Sequence, residues 1–178
     1  MKNYRPVQAP PGRVVLLEPT EDRETAMNRA IILSALGLVA GLAWGMSQAS
    51  ASDLVEGFLE KKDPAKIEKI CAKAEKRYQK IFGKPSEDED ATVILMYKYT
   101  FCPERVSVPQ GTLVRWVNVD KRTSHSTWLK EAGQPESERI FPEEIVEIPF
   151  DMPPGDYPYL CGPHWEADGM VGIVTVTP

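Results

Sequence analysis

Between Ile67 and Phe82 apolar residues return every three or four positions: Ile67, Ile70, Cys71, Ala74, Tyr78, Ile81 and Phe82. That period lays a stripe along one face of a helix. Asp63 and Pro64 supply a cap and a first-turn proline, and Gly83 and Pro85 stop the helix. Upstream, Asp53 and Glu56 read as a capping box. Residues 52–84 are therefore expected to be a helical hairpin, packed on the main domain or offered to a partner. From Ala91 the pattern changes. Residues 92–99, 105–108, 112–118, 145–148, 157–160 and 171–177 are short β-rich runs, with turn residues such as Gln110-Gly111 and Pro154-Gly155 between them. That arrangement predicts a mainly β domain, an antiparallel β-sandwich carrying an N-terminal helical extension.

Ahead of these regions lies a segment of another kind. Ala30 to Met46 is an uncharged apolar run of 17 residues, preceded by Arg29 and followed by the small-residue pattern Ala49-Ser50-Ala51. Basic flank, apolar run and small-residue site read as a secretory signal, cleaved after Ala51. A run of this length is also at the short limit for a membrane span. The stretch before Met27 carries Glu18, Glu21, Asp22 and Glu24 and is unusual for a signal. The expectation is translation from Met27; the alternative is a cytoplasmic tail on an uncleaved anchor. The resulting division is 1–51 leader and signal peptide or anchor, 52–84 helical extension, 85–90 acidic linker around Glu87 to Asp90, and 91–178 β-domain. Export places the protein in the periplasm, with membrane attachment only if the N-terminal segment stays uncleaved.

Charge and composition remove several functions. With 21 basic and 26 acidic residues the chain has a net charge of −5, which argues against nucleic-acid binding. The total hides an asymmetry: residues 52–84 are net basic and residues 85–178 strongly acidic. Three cysteines are too few for a disulfide-framed miniprotein. Two histidines rule out chemistry that needs three or more imidazoles.

Those few residues nevertheless form a pattern. Cys161, His164 and Met170 fall within ten positions between two expected strands. A thiolate, an imidazole and a thioether converging on one point suit copper in both its oxidation states. A second imidazole must come from elsewhere, and His125, in the loop after the Trp116 strand, is the one other histidine. Zinc would also accept a Cys-His-His set. A Ser-His-Asp triad would need a further histidine.

The order of motifs resembles the cupredoxins, the type 1 copper family. The match runs through Phe101-x-Pro103, Val106 to Asp120 with Gly111, Trp116 and Asn118, then Pro154 to Tyr157, and finally Cys161-x-x-His164. Gly169 to Val176 is close to the plastocyanin and pseudoazurin form of the ligand loop. The resemblance covers about residues 91–178 and implies a Greek-key β-sandwich. It implies one copper ion, Cu(I)/Cu(II), with His125, Cys161, His164 and Met170 as ligands. Asn118 and Ser126 are candidates to brace the ligand loops by hydrogen bonds. It also implies an exposed edge of His164 inside an apolar docking patch that takes in Pro163 and Trp165; the alternative for Trp165 is plain packing. The His164–Met170 interval is one residue longer than the plastocyanin pattern, and Glu143 stands where many relatives have glycine.

The function implied is that of a periplasmic electron carrier, not an enzyme, exchanging single electrons with redox partners such as a cytochrome or an oxidoreductase. The region from Arg122 to Phe141 is also similar to copper-inducible periplasmic cupredoxins. That likeness offers an alternative: a copper-tolerance protein that binds or oxidises excess copper. Cys71 and Cys102 either pair in the oxidising periplasm, tying helix to strand, or remain separate thiols.

Overall fold

The computed structural model describes the backbone of residues 14–16 and residues 51–178. The leader, the signal or anchor run at 30–46 and the start at Met27 thus concern residues outside the described ones, apart from Val14–Leu16, which form strand β1. Among the described residues no helix is long and apolar enough to cross a membrane. Helices α1 (Ala51–Glu60) and α2 (Pro64–Phe82) lead into a 3-10 turn at Ser86–Asp88. Strands β2 (Thr92–Tyr97), β3 (Thr100–Cys102), β4 (Arg105–Pro109), β5 (Thr112–Asn118), β6 (Ile145–Phe150), β7 (Gly155–Leu160) and β8 (Val171–Thr177) follow. A one-turn helix, α3 (Trp165–Asp168), lies between β7 and β8.

The strands form two sheets, β1-β6-β5-β2-β3 and β4-β8-β7. The expected sandwich is present, but its pairing is mixed. β2 runs parallel to β5, β4 to β8 and β1 to β6, while the remaining ladders are antiparallel. Between the sheets lies one core built from Ile94, Met96, Phe101, Trp116, Phe150 and Tyr159. Cys161 and Met170 are fully buried at its edge, so the core and the candidate site share walls.

The two helices do not form a hairpin packed as one unit. α2 lies on the outer face of the first sheet, placing Ala74 and Tyr78 against Leu95, Val117 and Val119. α1 lies on β7 and β8, with Val55 against Leu160, Val171 and Ile173. The reason is physical: each helix has one apolar stripe, and each sheet has one otherwise uncovered apolar face. β2 and β5 are buried on both sides, so their residues do not alternate cleanly between apolar and polar. Polar ties fix α1 in place: Glu56 pairs with Arg105, and Lys62, just beyond the helix, pairs with Glu104.

Local signals divide at the helix ends. Asp63 caps α2 by accepting from the Ala65 amide at 3.0 Å, and Gly83 closes it at φ +78°. Asp53 sits in the first turn of α1, not at its cap, because the helix starts at Ala51. The acidic run is only partly a solvated linker. Glu87, Asp88 and Asp90 are exposed, but Glu89 accepts from Tyr78 and pairs with Lys84 and Arg115. Burial opposes its ionisation, yet these partners hold its carboxyl below the usual range. Cys71 and Cys102 are joined in a disulfide, Cα–Cα 5.2 Å, which ties α2 to β3.

Candidate metal centre

Cys161 follows β7 directly, and its amide donates to the Met170 carbonyl at 3.0 Å. The chain then folds into α3. The amides of His164 and Trp165 both donate to the Cys161 carbonyl at 2.9 Å, and the Met170 amide returns to the His164 carbonyl at 3.2 Å. Gly169 ends the turn at φ +64°. The extra residue between His164 and Met170 is thus absorbed by a closed helical turn, which keeps both ends of the loop together. Glu166 is exposed on that turn.

His125 arrives from the other side. The loop after β5 is braced by Asn118, whose amide donates to the Thr123 and Ile140 carbonyls at 2.8 Å and whose oxygen accepts from the Asp120 amide at 2.9 Å. His125 and Ile140 pair as an isolated antiparallel bridge. The His125 ring is fully buried, with Nδ1 3.7 Å from Cys161 Sγ. His164 Nδ1 lies 3.2 Å from the same sulfur. The ligand atoms of His125, Cys161 and His164 all fall within 4.8 Å of one another.

These separations can be tested against a metal. Bonds of about 2.3 Å to sulfur and about 2.0–2.1 Å to nitrogen, set at the angles of a trigonal plane, put sulfur and nitrogen about 3.7 Å apart. The two observed S–N distances, 3.7 and 3.2 Å, bracket a slightly contracted form of that triangle. The donor set, one soft thiolate and two imidazoles with no carboxylate among them, is that of a copper site. Met170 is buried in the same cluster as Cys161, bonded through its backbone to both Cys161 and His164.

Residues 90–177 match the family described as copper binding proteins of the plastocyanin/azurin family. The β-domain is a cupredoxin. Two cyanobacterial plastocyanins are similar to it. That of Synechococcus sp. (strain JA-2-3B'a(2-13)) is 34% identical, over 42% of this chain and 61% of its own length. That of Nostoc punctiforme is 30% identical, over 43% and 63%. The chain therefore spans about three fifths of the length of these relatives. Among solved structures, amicyanin from Paracoccus versutus is 27% identical with a TM-score of 0.44, covering 51% of this chain and 87% of that one.

Burial in this cupredoxin disfavours charge on both Cys161 and His164. Burial pushes the Cys161 thiol up to about 11, against the lowering effect of the Ser126 hydrogen bonds. Burial, then the neighbouring His125, lowers His164. Ser126 joins three partners: its amide donates to Cys161 Sγ at 3.4 Å, its hydroxyl to Glu136 at 2.6 Å, and it accepts from the Gly162 amide at 2.9 Å. Asn118 acts at one remove, by shaping the His125 loop.

Two neighbours of the site were not singled out from sequence. Asp120 Oδ2 lies 2.9 Å from His125 Nε2 and also accepts from the Lys98 amide at 3.0 Å. A carboxylate on the far nitrogen of a metal-facing imidazole orients the ring and raises its basicity. Its signal was legible: an acid five positions before the histidine. Tyr99 had no such signal. It sits at the β2–β3 turn with its ring 4.8 Å from His164 and 6.4 Å from His125. Residues 92–99 do not form one strand, because Lys98 and Tyr99 take φ +50° and +59° and reverse the chain. Trp165 is half-buried and packs edge-on against Phe58 of α1 at 6.4 Å, in the apolar cluster that α1 forms with β7 and β8. Pro163 remains exposed.

Proposed function

We propose that the protein is a periplasmic carrier of single electrons, in which His125, Cys161, His164 and Met170 would hold one copper ion. The observation that carries this reading is the convergence of two Nδ1 atoms on one buried thiol at separations suited to a trigonal metal. Copper, when bound, would supply one-electron redox chemistry between its Cu(I) and Cu(II) states. The chain's own residues keep the site rigid and dry. Asp120 holds His125 by its far nitrogen, Ser126 clamps the Cys161 loop, and the inter-sheet core excludes water. Ligands held so firmly change little between oxidation states, so little reorganisation opposes the transfer.

Export rests on Arg29, the apolar run 30–46 and the Ala49-Ser50-Ala51 site. The Cys71–Cys102 bond supports it, since such bonds persist in oxidising compartments. The partner is a redox protein such as a cytochrome or an oxidoreductase. The copper-loaded chain is expected to show an intense visible thiolate-to-copper band and a type 1 spin-resonance spectrum, and Cys161→Ser to lose both. A wild-type protein that takes up copper and shows neither would end this reading.

A further inference from the structure

The net charge of −5 would repel an acidic partner, yet the end of the molecule that holds the candidate site is locally basic. Two grooves meet there. One, of about 450 Å³, lies between the α1–α2 junction and the β2–β3 turn and includes Lys61, Lys66, Lys98 and Tyr99. The other, of about 610 Å³, runs between α2 and the loop after β5 and includes Lys80, Lys121 and Arg122. The hydrogen bond from the Lys98 amide to Asp120 joins the two, since Asp120 lines the second.

Among the described residues none of these six cations has an ion-pair partner. Other cations are committed: Lys62 to Glu104, Lys84 to Glu89, Arg105 to Glu56, and Arg115 to Glu89, Asp90 and Glu147. Of the acids in the grooves, Asp63 is spent capping α2 and Asp120 faces His125 and Lys98. Asp168 and Glu143 remain. Tyr99 stands between the cations, 41% exposed, with its ring against His164. Its left-handed backbone costs about 1–2 kcal/mol for a side-chain-bearing residue. Such strain is retained where surrounding contacts enforce it, often at functional positions.

We propose that this basic rim, centred on Tyr99, docks an acidic face of the redox partner. The proposal rests on the electron-carrier reading and names the surface and the partner's charge. The helical extension is integral to it, because Lys61, Lys66 and Lys80 all belong to that segment. Local charge of this kind raises encounter rates by roughly 10- to 1,000-fold and is screened by salt.

The test uses the full chain and two anionic probes. Hexacyanochromate(III), a paramagnetic and inert anion, is expected to broaden the amide resonances of Lys98, Tyr99 and Lys121 first, and to do so less as salt is added. Oxidation of the Cu(I) protein by hexacyanoferrate(III), one electron per anion, is expected to slow with salt. The variant K66Q/K98Q/K121Q should lose the broadening and run about tenfold slower at low ionic strength. Broadening confined to other surfaces, or a salt dependence unchanged in the variant, would overturn the proposal. If the electron-carrier reading alone is wrong, the visible band is absent and the oxidation rate cannot be read, but the broadening map still decides the rim.

Discussion

At the scale of single residues the site depends on groups that never face the metal position. Asp120 links three parts of the molecule: the ring of His125, the turn at Lys98 and its own loop. Asp120→Asn keeps the shape and removes the charge. Copper affinity should fall by about 10- to 100-fold in competition with a chelator. The reduction potential should rise, because the lost negative charge favoured Cu(II). Cys161 predicts a pH dependence. Its folded value, near 11, lies above the ordinary thiol value of about 8.5, so the thiol is still protonated at neutral pH. Copper must displace that proton, and affinity should climb about tenfold per pH unit until the thiol ionises. Calorimetry at about pH 8 in buffers of different ionisation heat should count about one proton released per copper. Cys161→Ser should release about one fewer.

At the scale of elements the turns decide more than the strands. Glu143 adopts φ +69° where its amide donates to the Asn118 carbonyl at 2.7 Å. Glu143→Gly removes the steric cost of that conformation and should raise unfolding stability by about 1 kcal/mol in urea. Gly172 of β8 shows the opposite case. A methyl group there would meet the Tyr159 ring at 2.4 Å and the Glu104 carbonyl at 2.8 Å. Tyr159 is fixed in the core beside Phe101 and Trp116 and cannot yield. Gly172→Ala should therefore cost about 1–3 kcal/mol in the same measurement. The stretch between Cys161 and Met170 was readable as a loop, but its closure into α3 was not. One helical turn depends on where its hydrogen bonds end, and those ends lie on Cys161 and Met170 themselves.

At the scale of the whole molecule the helical extension is structural. The disulfide closes a loop of 31 positions. By chain-entropy reasoning its removal should cost about 3–4 kcal/mol. Denaturant unfolding of Cys71→Ala/Cys102→Ala should show that loss. Because α2 packs on the sheet that carries β2 and β5, its loosening should also weaken the His125 loop, whose neighbour Val119 accepts from Arg77. A fall in copper affinity alongside the fall in stability would report that link.

The sequence alone determined the strand-rich domain, the extent of α2 with its Asp63 and Gly83 ends, and the identity of the chemistry-bearing side chains. These follow from local periodicity, from cap and turn residues, and from the scarcity of histidine. Tertiary structure decided the rest. Whether strands pair parallel or antiparallel depends on long-range order that side-chain alternation does not encode. The opposite placement of α1 and α2 depends on which sheet faces were left bare. Tyr99 reaches His164 only because two residues without a turn signature reverse the chain, held there by a carboxylate from another strand's end. Local pattern names the residues of the site; packing between distant segments sets the distances that let them act together.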